Sequence, residues 1–158
     1  MNNPADYQKT KDDALAYYNT IGHVFSPALN NKIWFNPEGF NHLLFKNAHR
    51  ERERSSQILR FKLLPLAVKL VSLSTTYQEF EELSKEFSVK THKKRVKKYQ
   101  AVKYWGIIAI IDGRKIKIII RQIGNGNLRF WSVIPSWITN RYRDIKFFTT
   151  MAGNPDED

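Results

Sequence analysis

The sequence predicts an α+β fold: N-terminal helices packed on a three- to four-stranded antiparallel β-meander. Two observations carry this expectation. Helical periodicity is confined to the first half of the chain, and after Tyr99 the pattern changes to isoleucine-rich runs punctuated by glycine turns. Helices followed by a run of strands is the α+β order. The length of 158 residues, with 42% hydrophobic residues, is enough to bury one core without staples. The chain therefore reads as one domain over residues 1–151. Within it, residues 1–29 are loosely organised, and residues 152–158 form an acidic disordered tail.

At the N-terminus, Asp12 to Tyr18 suit a short helix, and Pro27 with Asn30-Asn31 ends regular structure. Ile33-Trp34-Phe35 suits a short strand. Asn36 is an N-cap residue, Pro37 fits the first helical position, and Glu38 complements the positive end of the helix dipole. The helical pattern runs from there to about Arg54. Phe40, Leu43, Leu44 and Ala48 form its apolar stripe, and His42, Lys46, His49 and Arg50 share another face.

Ser55 and Ser56 can cap a second helix that is apolar nearly all round and so belongs in a core, with Pro65 expected to kink or split it. Thr76 to Phe87 is expected as a third, acidic helix. Val89 to Lys103 carries seven Lys/Arg and no Asp/Glu. Tyr99 to Ile111 reads as a strand, Asp112-Gly113 as a two-residue hairpin turn, and Lys115 to Ile123 as the return strand. Gly124 to Asn127 is a second turn, and Leu128 to Ile134 a third strand closed by Pro135. Trp137 to Phe148 is expected to add a strand or a short helix.

Composition excludes several functions. The absence of cysteine rules out a disulfide scaffold, a Cys-ligated zinc site and a thiol nucleophile. No run approaches the roughly 18 apolar residues of a membrane span, and no signal-peptide pattern opens the chain. The expected compartment is the cytosol of a producing or target cell. A net charge of +11 favours polyanionic partners, nucleic acid first and an anionic membrane surface second. The plainer alternative is a protein kept soluble by positive charge.

Turn lengths set an expected register. With Asp112-Gly113 as the loop, one sheet face collects Trp105, Ile107, Ala109, Ile116, Ile118 and Ile120, which is the natural core. The other face carries Tyr104, Ile108, Lys117, Ile119 and Arg121. If Asn125-Gly126 is also a two-residue loop, Phe130 and Ser132 join Arg121 on that second face, while Trp131 and Val133 go to the core. Cations, a hydroxyl and aromatic rings on one face suit RNA, because cations meet phosphates and rings stack on unpaired bases. An amphipathic sheet with its polar side in water is the alternative.

No HExxH motif, paired-carboxylate spacing, acidic metal cluster or P-loop is present, so no metal and no cofactor is expected. Metal-independent phosphodiester cleavage remains open, because RNA supplies its own nucleophile in the 2′-hydroxyl. The protein then needs a proton carrier and cations that stabilise the phosphate charge. His42 is the strongest candidate carrier, beside an apolar stripe with Lys46 one turn on; a packing histidine is the alternative. His92, in the basic run, suits phosphate contact.

The segments Phe40-Asn-His42-Leu-Leu-Phe-Lys46, Arg50 to Arg60, and Ile118-Ile-Ile-Arg121-Gln122…Phe130-Trp-Ser132-Val-Ile-Pro135 together resemble phage- and toxin-associated RNases. These belong to the barnase–EndoU–colicin–RelE-like superfamily. The resemblance covers roughly residues 33–137. It implies N-terminal helices before a four-stranded antiparallel sheet, and metal-independent endoribonuclease activity, often on tRNA or ribosome-bound mRNA. It further implies His42 as acid/base, Arg121 as phosphate and transition-state ligand, and Ser132 as donor to the scissile phosphate. Lys46, Arg50, Arg60, Lys117, Tyr104 and Phe130 would contact substrate. An acidic antitoxin or immunity protein is the implied partner besides RNA. No strand glutamate like that of the barnase branch is evident. A non-catalytic nucleic-acid-binding module is the alternative, favoured by the dense basic run from Lys90 to Lys98.

Overall fold

The computed structural model describes residues 4–111, 113–136 and 156–158. Helix α1 spans Pro4–Ile21, followed by a hairpin of β1 (His23–Ser26) and β2 (Asn31–Trp34). Helix α2 is Pro37–Leu44, β3 (Phe45–Asn47) and β4 (Arg50–Glu51) form a small ribbon, and α3 is Arg54–Leu73. Four longer strands complete the chain: β5 (Glu79–Thr91), β6 (Lys94–Ile111), β7 (Arg114–Ile123) and β8 (Arg129–Ser136).

The architecture is α+β with a mostly antiparallel mixed sheet. The main sheet has six strands in the order β1-β2-β8-β7-β6-β5, against the three or four expected. The meander β5–β8 is antiparallel throughout, and β2 joins it parallel to β8 at Trp34 and Arg129. Among the described residues, no helix is long and apolar enough to cross a membrane.

Several elements depart from the sequence expectation. The N-terminal segment is a helix of 18 residues rather than a short one, anchored by the buried Tyr7 and Tyr18. Helix α2 starts as expected, with the Asn36 side chain accepting from the Gly39 amide at 3.3 Å. It stops at Leu44 rather than near Arg54, because Asn47 forms a local turn. Its side chain accepts from the His49 amide at 2.9 Å, an alternative to helical bonding. The Arg52 amide then returns to the Leu44 carbonyl at 2.8 Å. Lys46, His49 and Arg50 are therefore not on the helix of His42. Helix α3 runs unbroken through Pro65, whose ring lies on an exposed side.

The acidic segment after Thr76 is a strand, not a helix. Its alternation puts Leu83 and Phe87 against Val102 and Tyr104, and the glutamates of the opposite parity away from them. The basic run that follows is the far end of the same hairpin, turning at His92 and Lys93 in left-handed conformations (φ 48° and 65°). The expected pairing Ile111↔Arg114 is present. Asp112 and the segment from Trp137 to Phe148 lie outside the described residues.

One face of the sheet carries Ile107, Ile116, Ile118, Ile120, Phe130 and Val133 into a core shared with all three helices. The expected register fails at one point. Ile119 pairs with Ser132 but Ile120 pairs with Phe130, so β8 holds one extra residue, a bulge at Trp131. Phe130 consequently turns into the core, where it stacks on Phe35 at 4.8 Å, and Trp131 turns to the second face. This reverses the expected placement of the two.

Helix α2 seats directly on β8 through Gly39. A Cβ there would lie 2.5 Å from the Tyr18 hydroxyl and 2.6 Å from the Phe130 carbonyl. Gly39→Ala is expected to push α2 off the strand at a cost of roughly 1–3 kcal/mol, read as a lower midpoint in urea. An unchanged midpoint would mean that the seat is not tight.

Candidate functional site

The site forms where the end of α2, the start of α3 and the bulged stretch of β8 meet. Each element contributes for a local reason. His42 is one turn after Gly39, so the close seat on β8 lays its imidazole on the Trp131 indole, with ring centroids 4.1 Å apart. Arg121 enters from β7 on the second face, its guanidinium carbon 4.2 Å from the same indole and 5.7 Å from the Tyr104 ring. Arg60, on the second turn of α3, reaches the edge of β8 and donates to the Ser132 hydroxyl at 2.8 Å and the Val133 carbonyl at 3.1 Å. Arg52, just before α3, donates through Nε to the His42 carbonyl at 3.0 Å, and a terminal nitrogen lies 3.1 Å from His42 Nε2.

His42, the three arginines and Tyr104 are all buried. A guanidinium only donates, so the Arg52 contact makes His42 Nε2 the acceptor and leaves the ring proton on Nδ1. Burial first, then the charges of Arg52 and Arg60, pull His42 down to about 3, so the imidazole is neutral at physiological pH. Arg60 is likewise pushed down by burial and by Arg52 but stays charged at neutral pH. Burial raises the Tyr104 hydroxyl, which stays protonated.

The acidic end of the chain, expected to be disordered, occupies this cationic cluster. One main-chain oxygen of Asp158 accepts from Ser132 at 2.6 Å, Arg52 at 3.0 Å and Arg60 at 3.2 Å. The Glu157 main-chain oxygen takes a further bond from Arg52 at 2.7 Å. The Asp156 carboxylate accepts from Tyr104 at 3.0 Å, lies 3.5 Å from Arg121 and pairs with Lys85. Burial alone would raise the Asp156 carboxyl, but Lys85, Tyr104 and Arg121 together hold it below the ordinary carboxylate range. Arg121 Nε is buried and has no hydrogen-bond partner among the described residues.

Beside the cluster lies a cleft of about 860 Å³, lined by His42, Lys46, Lys85, Phe87, Arg121 and Trp131 among others. Two convergent sets of donors, an aromatic floor and a neutral imidazole equip the region to hold an anion with several oxygens, such as a phosphate.

Five of the sequence-derived residues are thus together: His42, Arg60, Tyr104, Arg121 and Ser132. Lys46 lines the cleft from β3 and is exposed. Arg50 is exposed on β4 and does not line the cleft. Lys117 is buried away from it, in an ion pair with Glu79 at 3.0 Å. Phe130 is in the core. Arg52, Lys85, Trp131 and Asp156 carry no role in the sequence reading. Alternation along β5 would have put Lys85 on the face of Leu83 and Phe87, whereas the role of Arg52 has no local signature. Comparison of the chain with protein-family models, curated proteins and solved structures finds no match.

The histidine gives a pH prediction. Its folded pKa lies below the unfolded value of 6.5, so the unfolded chain takes up the proton first. The resulting stability is complete above pH 6.5 and is lost as pH falls through 6.5 toward 3. Between pH 6.5 and 5 the wild type should lose about 1 kcal/mol per pH unit from this group, the slope rising toward about 1.4 at the lower end, and His42→Gln should remove that slope. Equal slopes in the two proteins, measured by urea unfolding, would show that His42 titrates normally.

Proposed function

We propose that the chain is a metal-independent endoribonuclease of toxin type, whose scissile phosphate binds where the Asp158 main-chain oxygen lies. The observation that supports this most is the convergence of Arg52, Arg60 and Ser132 on that one oxygen, each within 3.2 Å. A non-bridging phosphate oxygen would take the same three donors. The partnerless Nε of Arg121 and the Lys85 ammonium supply two more donors on the cleft side. RNA displaces residues 156–158 in this reading.

The chemistry balances without a metal. The 2′-oxygen bonds to phosphorus, its proton goes to His42 Nε2, and the bond to the 5′-oxygen breaks as that oxygen takes a proton from water. A phosphate in the site draws Arg52 toward itself, which frees Nε2. Its negative charge also raises the imidazole pKa from about 3 toward the working range. Arg121 and Arg60 stabilise the charge that accumulates on phosphorus. Phe87 and Trp131 line the cleft where an unpaired base would lie. The likeness to the barnase–EndoU–colicin–RelE-like superfamily points the same way, as does its implied acidic inhibitor, which the cationic surface would also steer.

A second reading is a non-catalytic RNA-binding module. The depressed pKa of His42 and the engagement of Nε2 by Arg52 favour it.

Incubation with tRNA and rRNA in EDTA separates the two readings. The nuclease reading expects discrete fragments with cyclic phosphate ends, and a loss of about 100-fold or more in His42→Ala and Arg121→Ala, each still unfolding in one cooperative transition well above the assay temperature. Intact RNA that shifts on a native gel would establish the binding module instead.

A further inference from the structure

The basic run is an arm. Hairpin β5–β6 pairs from Glu79↔Gly106 out to Thr91↔Lys94, but β7 accompanies β6 only as far as Val102↔Ile123. The eight outer pairs, Ser84↔Ala101 to Thr91↔Lys94, therefore have no partner in β7 and run on as a two-stranded ribbon, at whose base Lys85 and Phe87 line the cleft. At about 3.3 Å per residue it projects roughly 26 Å. Every residue from Lys94 to Ala101 is exposed.

The arm carries seven Lys/Arg and one acid, Glu86. Glu86 is taken by Lys97 at 3.3 Å and by the Tyr99 hydroxyl at 3.4 Å. Among the described residues, Lys90, Lys93, Lys94, Arg95 and Lys98 have no carboxylate within ion-pair distance. Strand alternation divides the cations between both faces. Lys90, Arg95 and Lys97 share one face with Tyr99, which is 71% exposed. Lys85, Lys94 and Lys98 share the other, with Lys93 at the tip. That second face also carries Tyr104 and Phe87, so the arm continues the wall of the cleft outward.

A single strand lying along the arm would meet one face and leave the other set of cations unused. Two phosphate rails, one on each side, meet both. The wide, shallow minor groove of an RNA helix presents two such rails with 2′-hydroxyls between them. We propose that the arm is a second binding site, which lies in the minor groove of an RNA stem flanking the nucleotide held in the cleft. This rests on RNA being the ligand of the cleft, and it names the substrate class as structured rather than unpaired RNA.

The test uses the full chain and the variant Lys90→Thr/Lys94→Thr/Arg95→Thr/Lys98→Thr, which keeps strand-compatible residues in the ribbon. Affinity for a labelled RNA hairpin and for an unpaired oligouridylate of equal length is measured between 50 and 200 mM salt. The variant is expected to bind the hairpin about tenfold or more weakly, with the slope of log K against log salt smaller by about 3. Its affinity for oligouridylate should fall far less. Equal loss on both RNAs, or an unchanged hairpin slope, would overturn the arm's assignment whether or not RNA is cut. A wild type that shows the hairpin preference but leaves RNA intact would instead refute the nuclease reading and keep the arm.

Discussion

The extra residue in β8 governs which side chains meet at the site. Without the bulge, Trp131 would face the helices and Phe130 would face Arg121. With it, Phe130 fills the core against Phe35 and Tyr18, while Trp131 and Ser132 both reach the other side of the strand. Trp131 then contacts His42 and Arg121, which come from different elements, and Ser132 meets Arg60. Gly39 lets α2 approach β8 closely enough for the histidine to lie on the indole. A bulge bends a strand and re-aims its side chains, which is why such irregularities occur next to functional sites.

The electrostatics follow from this crowding. Three arginines and a histidine are buried together, and buried charge is costly unless it is paired. Protein oxygens satisfy much of it: the carbonyls of His42 and Val133, the hydroxyl of Ser132, and the main-chain oxygens of Glu157 and Asp158. The histidine is the group that yields, staying neutral because it is buried and because two arginines stand beside it. A region that needs anionic oxygens for its own stability is suited to receive them from a ligand. The same need explains why the acidic end of the chain is seated there.

Elsewhere on the second face, one charge pair is settled internally. Lys117 and Glu79 are 2% and 1% exposed and pair at 3.0 Å. The difference between Lys117 and Arg121, four residues apart on one strand face, lies in their neighbours: a strand glutamate for one, an aromatic cluster and the cleft for the other. The hairpin β5–β6 links the cleft to the arm as one continuous ladder, so cations at its tip hold a fixed relation to the aromatic floor. A flexible loop of the same sequence would not hold that relation.

The amino-acid sequence specifies the α+β class, the N-terminus of α2 at Asn36-Pro37, the β6–β7 hairpin and its register, and a high positive charge. These depend on interactions between residues close in the chain, such as caps, two-residue turns and strand alternation. It also named five of the residues that come together. The rest depends on contacts between residues far apart in the chain. The glutamate-rich segment is a strand because β6 offers it an edge, although its composition suits a helix equally well. Helix α2 is short because Asn47 captures the His49 amide. The bulge at Trp131 depends on how Phe130 fits between Phe35 and Tyr18, and no local signal specifies that. Arg52 and residues 156–158 join the site across about a hundred residues of chain. Long-range packing and charge compensation bring them there, and these become defined only once the core has set the distances.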